Sequence, residues 1–301
     1  MMNSGLILFN KPPGITSFDA LRDNKRSLGT GKVGHTGTLD KFASGLLIVL
    51  VGKALRLSRW FTHCDKKYIG KISFGEETDT LDPEGKIIAK AAPPSREDIE
   101  SVLPQFTGEI MQAPPAYSAI HIDGKRASDL SRGGKEIEMK KREVTIYKLE
   151  LLSWEPPFAE IFVHCSSGTY IRSLARDIAL AAGSRAHLIE LKRTHVGGFE
   201  LGIRNKELEI KSINKGVIQK LELPYLEVNK GEKERIIQGK KLDEILNNKT
   251  MLYPDPLCLR VKSSPNQSSC LAVFEGEELI AIIEKNGLND ALNWKYACVL
   301  G

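Results

Sequence analysis

The sequence predicts an α+β fold with a small β-rich domain at its C-terminal end. Three observations support this prediction. Strand-like alternation of apolar residues recurs in residues 67–74, 144–152 and 160–165, two segments carry helical spacing, and the pattern changes near Pro224. The chain has 301 residues, of which 41% are hydrophobic and 27% charged. This is a globular composition, and the length suggests about two domains.

The first part of the chain alternates short strands with helices. Residues 5–9 predict a strand, and Ser17 is a suitable N-cap for a helix over residues 18–28. The apolar run at 46–51 indicates a buried strand, and the spacing in 53–62 favours a short helix. This order of elements is typical of an α+β domain.

The middle of the chain continues the alternation. Its predicted elements are strands at 67–74 and 86–90, a helix at 96–103, strands at 144–152 and 160–165, and a helix at 169–182. Ser95 caps the first of these helices, and Gly183 ends the second. An acidic turn at 78–85 precedes the strand at 86–90.

The C-terminal part has a different pattern. Residues 271–274 and 279–284 predict two strands joined by a tight turn, after a charged segment at 229–241. We therefore expect a first domain over residues 1–223 and a β-rich C-terminal domain over residues 224–301.

Composition excludes several classes of protein. No apolar run approaches the roughly 18 residues of a membrane span, and the N-terminus lacks a signal-peptide pattern. The five cysteines are scattered without a C-x-x-C pair, which argues against a disulfide scaffold or a zinc finger. A reducing cytoplasm is therefore the expected location. The net charge of +5 permits an acidic partner without requiring one.

Residues 113–142 form a long segment with a weak core pattern. Between Lys125 and Arg142 it has seven basic and three acidic residues, a local charge of +4. A stretch of this kind is usually a solvated surface, but the paired Gly133 and Gly134 favour a mobile loop that seeks phosphate. The basic residues are Lys125, Arg126, Arg132, Lys135, Lys140, Lys141 and Arg142.

The sequence does not support any of the common cofactor-binding motifs. Gly29-x-Gly31-x-x-Gly34 matches the dinucleotide fingerprint, but a helix precedes it where a strand is required. The six histidines have no metal-like spacing, and neither G-x-S-x-G nor H-E-x-x-H occurs. We expect neither a cofactor nor a metal.

Four polar motifs remain that an ordinary core does not need. They are NKPPGITS at 10–17, GHTGTLD at 34–40 with a following ASG, K-x-Y ending at Tyr68 together with TDT-x-D-x-EG at 78–85, and GTYIRSL at 168–174. In this order the motifs resemble the tRNA pseudouridine synthase B family. The resemblance runs from about Gly5 to Glu200 and continues more weakly beyond. One departure is that Lys41-Phe42-Ala43-Ser44-Gly45 stands where the family usually has Pro-Leu-Ala-Thr-Gly.

The resemblance implies a fold and an activity. The fold is a mixed, mostly antiparallel central sheet with flanking helices and a cleft across its face. The activity is isomerisation of a uridine in the T-arm of transfer RNA, at position 55, to pseudouridine by base flipping, glycosidic cleavage and rejoining through carbon. Residues 113–142 correspond to an RNA-gripping insertion, which we expect to be mobile without RNA. Residues 224–301 resemble a PUA-like RNA-binding module.

Asp40 is the catalytic carboxylate that the resemblance implies. The reaction needs an anion beside the sugar that acts as nucleophile, as base or as stabiliser of positive charge. A random Asp in such a loop would more often cap a helix or form an Asx turn. Arg172 is the family's partner for this Asp. A cation at the start of a helix opposes the helix dipole, which also suggests an anionic partner for it.

The other site residues also follow from the resemblance. Tyr68 is the stacking residue for the flipped base, and His35 fills the space that the base vacates. Tyr170 and Leu191 line the pocket, and Leu191, like Tyr68 on its strand, could instead be plain core. Two further residues take supporting positions: Asp82 is an acidic residue near the flipped nucleotide or a turn residue before a proline, and Lys11 supports the site loop or contacts phosphate.

Two alternatives remain open at this point. A non-catalytic RNA-binding or RNA-folding protein would use the same groove and the same basic segment, and folding activity could accompany catalysis. A pseudouridine synthase that works in a guide-RNA complex usually has longer termini and protein partners. We expect a monomeric enzyme that acts on transfer RNA without an obligate protein partner.

Overall fold

A computed structural model describes residues 4–122, 124–133, 137–202, 209–246, 270–285 and 294–301. The strands are β1 (Gly5–Lys11), β2 (Val33–His35), β3 (Ser44–Val51), β4 (Lys66–Phe74), β5 (Glu76–Thr78), β6 (Ile87–Lys90), β7 (Gly108–Gln112), β8 (His121–Ile122), β9 (Lys125–Arg126), β10 (Arg142–Glu155), β11 (Phe158–Cys165), β12 (Ala186–Val196), β13 (Phe199–Glu200), β14 (Tyr225–Glu227), β15 (Cys270–Glu275), β16 (Glu278–Lys285) and β17 (Trp294–Val299). The α-helices are α1 (Ser17–Leu28), α2 (Ser58–His63), α3 (Arg96–Val102), α4 (Ala127–Arg132), α5 (Ile171–Ala181), α6 (Lys215–Lys220), α7 (Lys230–Ile237) and α8 (Asp243–Leu246).

A large mixed sheet forms the centre of the molecule. Its strand order is β1-β3-β12-β4-β11-β10-β7, with β2 paired to β3 and β13 paired to β12. The β3–β12 pair is parallel and the other pairs of this sheet are antiparallel. The predicted α+β fold with a mixed, mostly antiparallel sheet is confirmed.

The predicted strands and helices are present with shifted ends. The strand expected at 144–152 runs from Arg142 to Glu155, and the helix expected at 169–182 occupies Ile171–Ala181. The segment at 53–62 is a 3-10 turn at Gly52–Leu57 followed by α2, rather than a single helix. Among the strands that sequence reasoning missed is β12, which lies between β3 and β4.

The N-cap of α1 differs from the prediction. Thr16, not Ser17, caps the helix, because Thr16 and Asp19 form a reciprocal capping box. The Ser17 hydroxyl is buried and instead exchanges hydrogen bonds with the backbone N–H and C=O of Leu39. The first turn of α1 is thereby fastened to the loop between β2 and β3.

The C-terminal strands form a second sheet with the order β14-β15-β16-β17, which confirms the β-rich C-terminal part. Its inner side chains share one hydrophobic cluster with the large sheet. Phe274 and Ile282 from the C-terminal sheet pack there with Trp60, Phe61 and Ile48. The division at residue 224 remains a prediction, since the two sheets bury a common core.

Replacing Phe274 by Ala is expected to lower the free energy of unfolding by about 3–5 kcal/mol, because a fully buried ring is lost from the shared core. Chemical denaturation with separate probes for the two sheets measures the effect, and we expect one cooperative transition. Leu152→Ala on an exposed part of β10 is the control, with a change within about 0.5 kcal/mol. Early unfolding of the C-terminal sheet alone would contradict a shared core.

The described part of the basic segment has local structure. Strands β8 and β9 pair antiparallel as a hairpin, and α4 follows β9 directly. Ala127 is fully buried, and Ser128 N–H donates to the Ser118 carbonyl at 3.1 Å. That bond lies within the segment, and the N-terminal half of the segment is joined to α5 by the carbonyls of Tyr117 and Ala113, which accept from Arg172 and Ser173. The mobility expected for it stays a prediction.

In the described ranges, no helix is long and apolar enough to cross a membrane.

Candidate active site

A cavity of about 460 Å³ lies on the inner face of the large sheet, which is large enough for a nucleoside-sized ligand. Its wall comes from β4, β12, the loop between β2 and β3, the start of α5 and the segment before β8. The lining residues used below are Lys66, Tyr68, Leu191, Arg193, Asp40, Tyr117, Ser118, Arg126, Tyr170 and Arg172. Five of the predicted pocket residues, namely Asp40, Tyr68, Tyr170, Arg172 and Leu191, are thus brought together.

Neighbouring strands form the floor of the cavity. Lys66 and Tyr68 are two residues apart on β4 and therefore point to the same face of the sheet. Arg193 of β12 stands opposite Tyr68 in the register, and Leu191 stands opposite Gly70. The floor is thus an aromatic ring and an aliphatic side chain with two cationic side chains beside them.

Several contacts hold the Asp40 loop in place. Lys11 is fully buried, and its Nζ donates to the carbonyls of Pro12 at 2.9 Å, Ile15 at 2.7 Å and Lys41 at 3.4 Å. Lys11 therefore supports the site loop, as one of its two predicted roles requires. Burial lowers the pKa of Lys11 to about 8, although the nearby Asp40 carboxylate opposes this effect.

The departure from the family motif has a local structural role. The Lys41 ammonium forms a salt bridge of 2.9 Å with Glu84 in the acidic turn. Phe42 packs against the hydrophobic core beneath the loop. Both contacts fasten the loop without the proline that the family usually has at position 41.

Arg172 bridges two carboxylates. Its Nη2 donates to Asp40 Oδ1 at 3.1 Å, and its Nη1 donates to Asp82 Oδ2 at 2.9 Å and to the Thr80 carbonyl at 2.7 Å. Nε lies 2.9 Å from Asp40 Oδ2, but its N–H has no aligned acceptor. Nη2 also donates to the Tyr117 carbonyl at 3.1 Å. The guanidinium is thus fixed from several sides.

Asp82 lies outside the cavity lining and contacts Arg172 instead. The side chains of Asp82 and Arg172 are 9% and 5% exposed, whereas Asp40 is 36% exposed toward the cavity. Thr80 Oγ1 and Glu84 N–H donate to Asp82 Oδ1 at 2.6 and 3.0 Å. In this arrangement Asp82 orients Arg172, which in turn orients Asp40.

The protonation of Asp40 depends on opposing effects. Burial in the cavity raises its pKa above the ordinary value of 3.8, the Arg172 guanidinium opposes this rise, and the charge of Asp82 adds to it. A carboxylate that acts as an anion loses its function when the pH falls through its pKa. As the pH is lowered, activity is therefore expected to fall at a higher pH than it would for a free aspartate. This fall is the acid limb of the pH profile.

Replacing Asp82 by Asn is expected to shift this acid limb to lower pH, because the charge that raises the pKa of Asp40 is removed. The maximal rate should fall on the order of 10²-fold, because Arg172 loses the carboxylate that orients it and Asp40 is displaced from its reactive position. The measurement is the pH dependence of the single-turnover rate.

Asp79→Asn is the matched control. Asp79 Oδ1 accepts from Lys86 N–H in the same acidic turn, an interaction that Asn retains. Its profile should match the wild type. An Asp82→Asn profile with an unchanged acid limb would contradict the proposed coupling.

Three further ionisable side chains, Tyr68, Tyr170 and His35, lie in or beside the cavity. Burial raises the pKa of Tyr68 to about 12, and the positive charge of Arg193 opposes this rise. Burial also raises the pKa of Tyr170. His35 lies in β2, outside the cavity lining, and burial lowers its pKa. All three are therefore uncharged near neutral pH.

The predicted RNA-backbone residues are exposed where they are described. Arg126 also lines the cavity, and Lys125 and Arg132 lie close by on the hairpin and α4. Lys135 lies outside the described residues. The exposed residues are Lys125, Arg126, Arg132, Lys140, Lys141 and Arg142.

Lys66 and Arg193 are lining residues to which sequence reasoning gave no role, although Lys66 is the first residue of the K-x-Y motif. A signal was available, because each is two residues from a predicted site residue on the same strand, Tyr68 or Leu191, and therefore shares its face. Close packing also fixes Arg193. Gly45 has φ +103°, and a Cβ there would lie 2.3 Å from the Arg193 carbonyl oxygen. Only glycine permits this approach of β3 to β12.

The geometry suits chemistry at a sugar that carries a planar ring. A partly exposed carboxylate is held by a buried guanidinium beside an aromatic floor, so a ring can stack while an adjacent carbon meets the anion. In the described residues, no cluster of three or more His, Cys, Asp or Glu side chains is arranged to hold a metal.

Comparisons with known proteins give a consistent result. A family model described as TruB family pseudouridylate synthase (N terminal domain) matches residues 25–171. The tRNA pseudouridine synthase B of Borreliella burgdorferi (strain ZS7) is 40% identical over 301 residues, which cover 99% of this chain and 100% of that protein. The tRNA pseudouridine synthase B of Bordetella avium (strain 197N) is 48% identical over 201 residues, or 65% of this chain and 82% of that protein.

Solved structures share the fold. A Cbf5-Nop10-Gar1 complex aligns with a TM-score of 0.69 and 22% identity, over 99% of this chain and 85% of that one. An archaeal box H/ACA sRNP Nop10-Cbf5 complex aligns with a TM-score of 0.68 and 20% identity, over 100% of this chain and 87% of that one. At this level of identity the likeness concerns the fold alone.

Proposed function

Because the chain belongs to the TruB family of pseudouridylate synthases, we propose that it converts uridine 55 in the T-loop of transfer RNA to pseudouridine, with Asp40 as the catalytic carboxylate. Family membership, shown by a relative 40% identical over the full length, makes the chain a tRNA pseudouridine synthase and therefore an isomerase. The position of the uridine and the catalytic role of Asp40 are the proposed parts.

One observation carries the proposal. Asp40 reaches into a cavity floored by Tyr68, and Arg172 holds it at two points. A uracil stacked on the Tyr68 ring would bring the anomeric carbon of its ribose beside this carboxylate. There the anion bonds to C1′ or stabilises positive charge on it, while the bond to the base breaks.

The target base must leave its stack before it can enter the cavity. Flipping a base costs a few kcal/mol, and stacking on an aromatic side chain returns about 1–3 kcal/mol. Tyr68 and Leu191 supply the surface for that stacking, and Tyr170 closes the cavity beside it. His35, from its place in β2, fills the gap in the RNA loop that the base leaves.

The RNA is held outside the cavity by the exposed cations of the basic segment and by the C-terminal sheet. Arg126 marks the point where this basic surface meets the cavity. We propose that residues 113–142 grip the T-arm and that residues 224–301 form a PUA-like module that contacts the rest of the transfer RNA. The enzyme works as a cytoplasmic monomer and can also assist folding of its substrate.

Transfer RNA labelled with tritium at uracil C5 tests the activity. Formation of the new carbon–carbon bond releases the C5 proton, so the purified protein is expected to release tritium, and mapping should place one pseudouridine at position 55. A protein that binds this RNA and releases no tritium would be the non-catalytic alternative. Modification at another position would contradict the proposed target alone.

A further inference from the structure

Two buried cations on the cavity floor lack an acidic partner among the described side chains. Lys66 is 7% and Arg193 is 3% exposed. Lys66 Nζ donates to the carbonyls of Thr62, at 2.6 Å, and Cys64. The Arg193 guanidinium donates to three carbonyls, those of Leu46 at 2.8 Å, Gly37 at 3.0 Å and Thr38 at 3.4 Å. Burying a cation without a carboxylate partner is costly, which indicates that a negatively charged ligand binds beside these two side chains.

Both cations have N–H groups that the backbone carbonyls do not use. An ammonium has three N–H groups, and two of those of Lys66 are used by the carbonyls. A guanidinium has five, and three of those of Arg193 go to carbonyls. At least one N–H on each residue thus remains for a ligand in the cavity, which both residues line.

The two charges also repel each other. Burial, assisted by the positive charge of Arg193, lowers the pKa of Lys66 to about 8. An anion placed between the two side chains would relieve this repulsion and the cost of burial together. Tyr68 lies at that place, since it is opposite Arg193 in the register and two residues from Lys66.

We propose that Lys66 and Arg193 bind the negative charge that the uracil ring carries while it is detached from the ribose. The inference deepens the proposed function and rests on it. These two residues would thus stabilise the leaving base, while Asp40 acts on the sugar.

The chemistry balances without another reactant. When the bond from C1′ to N1 breaks, both electrons stay with nitrogen, and uracil becomes an anion with its charge spread over N1, O2 and O4. C1′ is left electron-poor beside the Asp40 carboxylate. After the ring turns, C5 bonds to C1′ and loses its proton, and N1 gains a proton. Donors placed where this charge develops lower the barrier.

The location favours the base over a phosphate as the anion. The cations lie on the floor beside Tyr68, where a stacked ring would rest. The exposed cations, such as Arg126 and Arg142, lie nearer the surface, where a backbone phosphate would pass. Lys66 and Arg193 are thus placed for the ring.

Lys66→Gln tests the proposal, because the amide keeps two N–H donors for the carbonyls of Thr62 and Cys64 and removes the charge. Single-turnover conversion of transfer RNA is measured by nuclease digestion and chromatography of the nucleosides. The rate is expected to fall on the order of 10²-fold, as when one oxyanion donor is removed. Lys66→Arg should recover most of this rate.

Two comparisons separate this role from a structural one. Lys67→Gln is the matched control, since Lys67 lies on the other face of β4, and it should behave as the wild type. RNA that carries 5-fluorouridine contains a base that forms a more stable anion. Consumption of the parent nucleoside is compared for both bases, because the fluorine at C5 cannot leave as a proton does and 5-fluorouridine gives no pseudouridine. The Lys66→Gln penalty on this rate should be smaller for 5-fluorouridine than for uridine, at unchanged affinity for the RNA.

Three results would overturn the proposal. The Lys66→Gln variant could convert uridine at the rate of the control. Its rate could fall by the same factor with both bases, which would indicate that the substitution has displaced the side chains of the cavity floor. It could instead bind RNA more weakly at an unchanged rate, with the slope of log affinity against log salt concentration reduced by about 1. That result would assign Lys66 to a phosphate contact. A wild-type protein that forms no pseudouridine would contradict the proposed function instead.

Discussion

Replacing Asp40 by Asn is expected to abolish pseudouridine formation while the protein still binds transfer RNA. The amide has the shape of the carboxylate and keeps an oxygen for Arg172 Nη2, so the cavity is preserved. It has no charge to place against the anomeric carbon. The single-turnover rate should fall on the order of 10⁴-fold or more, the scale found when a reacting group is removed.

RNA affinity provides the internal control for this variant. The Asp40 carboxylate is a negative charge in a site for a polyanion, so its loss should leave affinity unchanged or slightly tighter. Filter binding with transfer RNA measures this directly. Tritium release by the Asp40→Asn variant at the wild-type rate would contradict a catalytic role for the carboxylate.

The second large effect concerns Arg172. Its fork contacts Asp40 and Asp82 at once, and a lysine ammonium cannot reproduce this planar geometry. We expect Arg172→Lys to reduce the single-turnover rate about 10²- to 10³-fold, because Asp40 loses its orientation and faces the charge of Asp82. Arg172→Ala should also lower the free energy of unfolding by about 3–5 kcal/mol, because the buried Asp82 loses its cation.

Arg176→Lys, one turn further along α5, is the control for this series. Arg176 pairs with its neighbour Asp177 and touches neither carboxylate of the site. Its rate and its stability should stay close to those of the wild type. An Arg172→Lys enzyme with full activity would mean that Asp40 needs no partner to hold it.

The limits of sequence reasoning about the fold are clearest at β12. Its inward positions include Leu188, Leu191 and Arg193, and a bulge after Leu188 shifts the alternation by one residue. A period of two is therefore broken in the middle of the strand. A buried arginine at an inward position hides the pattern further. Strands without a bulge at the site, such as β4, follow their alternation and were predicted.

The site likewise contains residues that the motifs predict and positions that depend on tertiary contacts. Asp40 and Arg172 stand in seven-residue motifs and Tyr68 in the short K-x-Y motif, and the fold brings all three into one cavity. Asp82 and Lys11 stand in such motifs as well, yet their place beside the cavity depends on contacts between distant parts of the chain. Lys11, for example, reaches a carbonyl 30 positions away. One-dimensional patterns carry no information about such contacts.

The most direct test of the account is the structure of the Asp40→Asn variant bound to a T-arm RNA. We expect the uracil at position 55 to be flipped out and stacked on the Tyr68 ring, with its ribose C1′ within roughly 3–3.5 Å of the side chain at position 40, as a reacting pair requires. A target base still stacked in the RNA loop, or bound away from this side chain, would contradict the proposed site.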